Sequence, residues 1–225
     1  MPSKAEASQS TTAVKPDHSG LSTALVLDSL DALGMRRQAI QCGVIPRTFD
    51  RTVVGRAKTL LWVEFAYDDP DTYALELAAV DSIAPGEIVV CATGDSQRSG
   101  IWGELLTTAA LHRGAAGIVT DGGVRDLAQI RSAGFPVFSR HLSAYDSLNR
   151  QKVVAYDVRV EIDGVTIEPG DLIVADCDGI AVVPAASVDA VTAYAAQKAL
   201  REDGFRLAVQ TGMPLVTAFE KYKVL

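Results

Sequence analysis

The chain has 225 residues, of which 48% are hydrophobic and 22% charged, enough to enclose a full core and ordinary for a globular protein. Its formal charge of −7 argues against a nucleic-acid binder, which needs a basic face to neutralise phosphates. No apolar run reaches the ~18 residues of a membrane span, and the N-terminus lacks a signal-peptide pattern, so a cytoplasmic protein is expected.

Met1 to Ser19 is rich in Ser, Thr, Lys and Ala and reads as a loosely attached or disordered tail, leaving residues 20–225 as a single domain. Ser22 is a candidate N-cap for a helix carrying Leu25, Leu27, Leu30 and Leu33 and stopped by Gly34. Val53 to Val63 mixes β-branched and aromatic residues and predicts a strand. Asp71 then caps a helix over Thr72 to Val80, and Ala84 to Glu87 turns into the apolar strand Ile88 to Ala92. Gly103 opens the helix "ELLTTAALHR", with Leu105 and Ala109 in one stripe and His112 near it, ended by Gly114. "AGIVT" is a buried type of strand. Gly122-Gly123 predicts a turn, followed by the helix "VRDLAQIRSAG" with Leu127 and Ile130 inward, and then the strand "FPVFS".

In the last third, Val153 to Ile162 reads as one half-buried strand, and Asp163-Gly164 as a hairpin turn before "VTI". A turn at Glu168 to Asp171 leads into "LIVAD", the turn at Cys177 to Gly179 leads into another strand, and a long amphipathic helix over Ala186 to Val209 closes the fold. The class is α/β, with a mixed sheet covered by helices. Cys42, Cys91 and Cys177 stand singly, without metal-type spacing, and read as reduced, buried small residues. His18, His112 and His141 share no spacing that would make a metal site. No P-loop, nucleophile elbow or G-x-G-x-x-G pattern occurs, so a dinucleotide cofactor finds no support. Asp176-Cys177-Asp178 reads more simply as an Asp-Gly turn than as a metal site.

Two helix starts remain. The first turn of a helix presents unpaired N–H groups and a positive dipole end, which favour a carboxylate or phosphate. Gly103 opens such a turn, with Glu104, Leu105 and Leu106 inside it. At the other start, Arg125 offers a planar fork matched to a carboxylate, and Asp126 a hard oxygen ligand suited to Mg²⁺ or Mn²⁺. A capping glycine at the first start, and at the second a surface salt bridge with an Asp steadying its own helix, explain the same residues without a ligand.

The run "GIWGELLTTAALHRGAAGIVTDGGVRD", followed by "FPVFSR" and "GVTIEPGDLIVADCDGIAVVP", resembles the RraA-like family from about Ser22 to Met213. That family includes 4-hydroxy-4-methyl-2-oxoglutarate aldolases with oxaloacetate decarboxylase activity, and regulators that bind and inhibit an RNA-degrading endonuclease. Its signature, an acidic residue followed after twenty residues by Arg-Asp, fits Glu104 and Arg125-Asp126, although Asp is the more usual first member. The resemblance implies a layered α-β-β-α sandwich around a barrel-like sheet, assembled as a homotrimer or hexamer with its site at the subunit interface. It implies that Arg125 binds the carboxylate and keto oxygen of a pyruvate-like 2-keto acid. Gly103, Glu104, Leu105 and Leu106 would bind the substrate carboxylate, and Asp126 a divalent metal, most often Mg²⁺. An acidic residue of a neighbouring C-terminal helix, Glu202 or Asp203, would approach the water shell of the metal. No side chain stands out as the base, so water is assigned that part. The loop Ser143 to Val158 differs in composition from many family aldolases. Its Asn149, Arg150 and Gln151 read as subunit contacts or, alternatively, as reaching a polar substrate.

Overall fold

The computed structural model describes residues 20–41, 43–48 and 51–225. The tail expected over residues 1–19, with His18, and Cys42 lie outside the described residues. In chain order the elements are α1 (Thr23–Ala32), β1 (Ala39–Ile40), β2 (Ile45–Pro46), β3 (Val53–Glu64), α2 (Ala74–Asp81), β4 (Glu87–Ala92) and β5 (Gly100–Trp102). Then come α3 (Glu104–Arg113), β6 (Gly117–Val124), α4 (Leu127–Ala133), β7 (Val137–Leu142), β8 (Gln151–Tyr156), β9 (Val160–Ile162) and β10 (Val165–Ile167). The chain ends with β11 (Leu172–Asp176), β12 (Gly179–Val183), a single 3-10 turn at Ala185–Ser187, α5 (Val188–Gln210) and α6 (Leu215–Tyr222).

One mixed sheet runs β1-β12-β11-β3-β4-β6-β7-β2, with β5 added to β6 and β8 to β3. The twelve-residue β3 joins its halves. Its first part pairs antiparallel with β11, its second part antiparallel with β8, and its middle parallel with β4. Period-two alternation sorts the side chains. Ile88, Val90 and Val119 face inward with Ile173, Ala175, Ile180 and Val182 from the other half of the sheet, and the β9–β10 hairpin adds Val160, Ile162, Val165 and Ile167 to the same core. On the outer face of one half, Val89, Cys91, Ile118 and Val137 pack under Ala79 and Val80 of α2, Ala110 of α3 and Ile130 of α4. On the outer face of the other half, Leu172, Val174, Ala181 and Val183 meet Val26 and Leu30 of α1 and Val188 and Val191 of α5. The layers are therefore helix, sheet, sheet, helix, as expected.

Several local expectations hold. The Ser22 side chain caps α1 by accepting from the Leu25 N–H, and Asp163 and Gly164 both take positive φ in the β9–β10 turn. Others are corrected. Gly122 and Gly123 make no turn: both lie buried within β6, where a Cβ would come within 2.7 Å of the Thr93 side chain at one and of the Ser99 carbonyl at the other. The strand expected over Val153 to Ile162 is two, because Asp157 turns to φ 53° and ends β8. Helix α2 starts at Ala74 rather than Thr72, because the Asp69 side chain accepts from the Asp71 N–H and holds the preceding turn. Leu105 is 78% exposed, so the buried stripe of α3 is Thr107 and Ala110 instead. Beyond α5 the chain turns at Gly212 and returns as α6, which sets Tyr222 edge-on to Phe205. Cys91 is buried as expected, but Cys177 is exposed on the β11–β12 turn. No helix among the described residues is long and apolar enough to cross a membrane.

Candidate active site

The parallel strands β4, β6 and β7 end on one side of the sheet, the place where open α/β sheets bind their ligands. Short β5 organises that end. Trp102 accepts from the Arg125 N–H at 2.9 Å, Gly100 donates to the Tyr145 carbonyl at 2.8 Å, and Ser143 donates to the Val124 carbonyl at 3.0 Å. The end of β6, the start of α3 and the loop after β7 are thereby held together. Beneath them Trp102 is fully buried, stacked on Phe135, with its indole N–H donated to Thr107 at 2.9 Å.

Arg125 and Asp126 sit where β6 ends, and Asp126 takes a left-handed conformation, φ 56° and ψ 32°. This sharp corner aims its carboxylate back at α3. Asp126 makes no cap for its own helix; its Oδ2 accepts from the Glu104 N–H at 3.2 Å and so caps α3. Gly103, at the N-cap position of α3, has no side chain for that task, and a Cβ there would stand 2.7 Å from the same Oδ2. The next first-turn donors belong to Leu105 and Leu106, both of which line the cleft. The Glu104 side chain accepts from the Thr108 hydroxyl at 2.7 Å.

The cleft has a volume of about 280 Å³; Gly103, Glu104, Leu105, Leu106, Arg125 and Asp126 all line it. Tyr73, Glu76 and Asp146 also line it, and the sequence reading missed these three. Arg125 Nη1 lies 2.8 Å from Asp146 Oδ2, and its Nε 3.7 Å from Asp126 Oδ2. Asp146 Oδ1 accepts from the Tyr73 hydroxyl at 2.6 Å and from the Leu148 N–H at 2.8 Å. Partial burial works against the Asp146 charge, but these bonds and Arg125 outweigh it and hold the carboxyl below its usual range. The Tyr73 hydroxyl, half-buried and bonded to that anion, is pushed up to about 12.

Glu76 is different. It is 4% exposed, and its Oε2 has no hydrogen-bond partner among the described residues. Burial, with Asp146 nearby, lifts its carboxyl to about 8 against the opposing pull of Arg125. The available signal was the spacing of Glu76, Ala79 and Val80, an acid at the head of an i, i+3, i+4 buried stripe.

For a divalent cation, the fit rests on Asp126, whose carboxylate is part-exposed at the cleft. One hard oxygen ligand with room for water suits Mg²⁺, which keeps several waters and takes one or two carboxylates. Glu202 and Asp203 stand away from this cleft within the chain. Glu202 pairs with Lys198 at 3.0 Å, and Asp203 with Arg206. Asn149, Arg150 and Gln151 bond within their own chain, to Asp68 and Asp69, to the Asp146 carbonyl, and to Ser99. His112 is exposed at the end of α3. His141, on β7, has both ring nitrogens unbonded among the described residues, and burial, with Arg47 and Arg140, lowers its pKa. Asp176, Cys177 and Asp178 bring ligand atoms within 4.8 Å of one another, but Asp176 accepts from the Thr23 N–H at 2.9 Å and the Asp178 N–H at 3.0 Å. That carboxylate fastens the start of α1 to the end of β11.

The RraA-like family model, described as Aldolase/RraA, matches residues 23–182. Protein DlpA of Legionella pneumophila is 29% identical over 202 residues, covering 89% of this chain but 32% of that protein, so the chain spans about a third of its length. A Halalkalibacterium halodurans protein, provisionally named 4-hydroxy-4-methyl-2-oxoglutarate aldolase, is 31% identical over 198 residues, 88% of this chain and 89% of its own. Among solved structures, an uncharacterised Pseudomonas syringae protein superposes with a TM-score of 0.78 at 30% identity, covering 88% of this chain and 92% of that one. Streptomyces coelicolor RraAS2, described as an unusual member of the RNase ES inhibitor RraA family, gives 0.71 at 31% identity over 82% and 91%.

Proposed function

Because the chain belongs to the RraA-like, Aldolase/RraA family, we propose that it is a divalent-metal-dependent carbon–carbon lyase acting on a 2-keto acid. The reaction is cleavage of a 4-hydroxy-4-methyl-2-oxoglutarate-type aldol, decarboxylation of oxaloacetate, or both. The observation that carries this reading is the meeting of the Arg125 fork and the Asp126 carboxylate at the head of α3, across a glycine that keeps the approach open. The aldolase name of the H. halodurans relative supports the same class.

The substrate carboxylate lies against the first-turn N–H groups of Leu105 and Leu106 and the guanidinium of Arg125, which binds two oxygens in one plane. Asp126 holds the cation, which when bound supplies Lewis-acid polarisation of the keto group. As the carbon–carbon bond breaks, negative charge develops on the keto oxygen. Arg125, already fixed by Asp146, stabilises that charge without reorganising. Leu105 and Leu106 cover the reacting end with apolar surface. Glu202 or Asp203 joins the site from a neighbouring copy in a homotrimer or hexamer, and exposed Leu200 and Leu207 on the same helix suit such burial.

The test is pyruvate release from hydroxymethyl-oxoglutarate, oxaloacetate and keto-deoxy sugar acids, each with Mg²⁺, Mn²⁺ or EDTA. Metal-dependent release from at least one is expected; none from any sinks the lyase. A second reading, a regulator that binds an RNA-degrading endonuclease, is favoured by the likeness to S. coelicolor RraAS2. Retention of such an endonuclease by this protein, together with silence in the pyruvate assay, would establish that role instead.

A further inference from the structure

Glu76 lines the cleft and has no part in the reaction just described. It points from α2 toward Arg125 and Asp146 with Oε2 unpartnered among the described residues, although a hydrogen-bond partner is the rule for a buried polar atom. The neighbouring carboxylate is treated in the opposite way. Asp146 has the Tyr73 hydroxyl and the Leu148 N–H on one oxygen and Arg125 on the other, which fixes it as an anion. Two carboxyl groups in one cleft, one held charged and one held neutral, divide the work of acid and electrostatic support.

We propose that Glu76 is a further catalytic residue, the acid that protonates C3 of the enolate in this cleft. The inference rests on the lyase reading above. When the bond from C3 breaks, its electron pair forms the C2–C3 double bond of the enolate, and carbon dioxide or a carbonyl product leaves. For an aldol substrate, the C4 hydroxyl proton passes to water. The enolate pair then takes the proton from the Glu76 O–H, forming a C–H bond and restoring the keto group. The Glu76 carboxylate left behind regains a proton from water, so atoms and charge balance. In reverse, the carboxylate removes a proton from the methyl group of pyruvate.

Other ionisable groups face Glu76 or share its surroundings. Tyr73 lies one turn earlier, just before the start of α2, Asp146 on the loop after β7, and Arg125 at the end of β6. Glu104 and Asp126 line the same cleft, and buried Cys91 lies beneath on β4. Of these, Arg125 favours the Glu76 anion, whereas burial and Asp146 favour the acid.

The experiment follows exchange of the pyruvate methyl protons in D₂O by NMR, with the full chain and Mg²⁺, for wild type, Glu76→Gln and Glu76→Asp. Wild type exchanges, and because removal of the proton needs the ionised form, its rate rises with pH through about 8. Glu76→Gln loses about 10²-fold or more in rate at unchanged KM for pyruvate, and the rising limb with it. Glu76→Asp recovers part of the rate. Thermal unfolding of Glu76→Gln at or above the wild-type temperature shows that the loss is not misfolding. Exchange by Glu76→Gln at the wild-type rate, or a loss expressed in KM alone, overturns the role of Glu76 while leaving the lyase intact. A wild-type protein that neither exchanges these protons nor releases pyruvate overturns both.

Discussion

Replacing Glu76 with Gln tests the electrostatics of the cleft independently of turnover. In the folded chain the carboxyl keeps its proton to about 8, against an ordinary 4.5 once unfolded. The unfolded state therefore binds fewer protons between these values, and stability falls as pH rises through that window. Near pH 7 the loss is about 3 kcal/mol, and above both values it approaches ~5 kcal/mol. Glutamine, of nearly the same shape, carries no such term. Its own amide still lacks partners, which offsets the wild-type profile by a constant but leaves its slope unchanged. Urea unfolding of both proteins near pH 5, 7 and 9 isolates the difference, since other titrating groups contribute equally to each. The variant is expected to gain on wild type progressively from pH 5 upward. Parallel profiles would refute the assignment of Glu76 as a buried neutral acid.

Arg125→Ala and Asp126→Asn are each expected to lower pyruvate release by about 10²–10³-fold or more, with far-UV circular dichroism unchanged. Asparagine keeps an oxygen for the α3 cap, so the loss at 126 reads the cation. Gly103→Ala places a Cβ 2.7 Å from Asp126 Oδ2; displacement of that carboxylate should cost about 10²-fold in kcat with little change in Tm. Tyr73→Phe removes the donor at 2.6 Å from Asp146, and about 1.5 kcal/mol of stability at neutral pH should go with it. Because the Asp146 carboxyl is held below its usual range, that contribution is present above the ordinary carboxylate value and fades as pH falls through the folded one. Acid unfolding of wild type and Tyr73→Phe should therefore converge at low pH.

Much of the site could be read in advance because it is local. Gly103, Glu104 and the Arg125-Asp126 pair announce two helix starts, and each lies within a residue or two of its expected place. The roles were less visible. The ligand-free reading of Asp126 has it steadying its own helix, yet its left-handed corner turns the carboxylate onto α3, which sequence periodicity does not encode. Tyr73 and Glu76 meet Asp146 from some 70 residues away in the chain, and no spacing rule links that carboxylate to them. Gly122-Gly123 misled because paired glycines usually mark a turn, whereas here they let Thr93 and His141 pack against a strand. Helix α6 escaped notice because its partner is α5 itself, through Phe205 and Gly204 against Tyr222.

The cap that Asp126 provides has a thermodynamic corollary. The carboxylate that accepts from the amide at the head of α3 is the one proposed above to hold the cation, and under that proposal occupancy at either is linked to the other. Loading the cleft should alter the bond at the head of α3, and the amide proton of Glu104 would register the event before any product forms. Hydrogen-exchange protection at that amide thus becomes an equilibrium gauge of cation binding that needs no substrate.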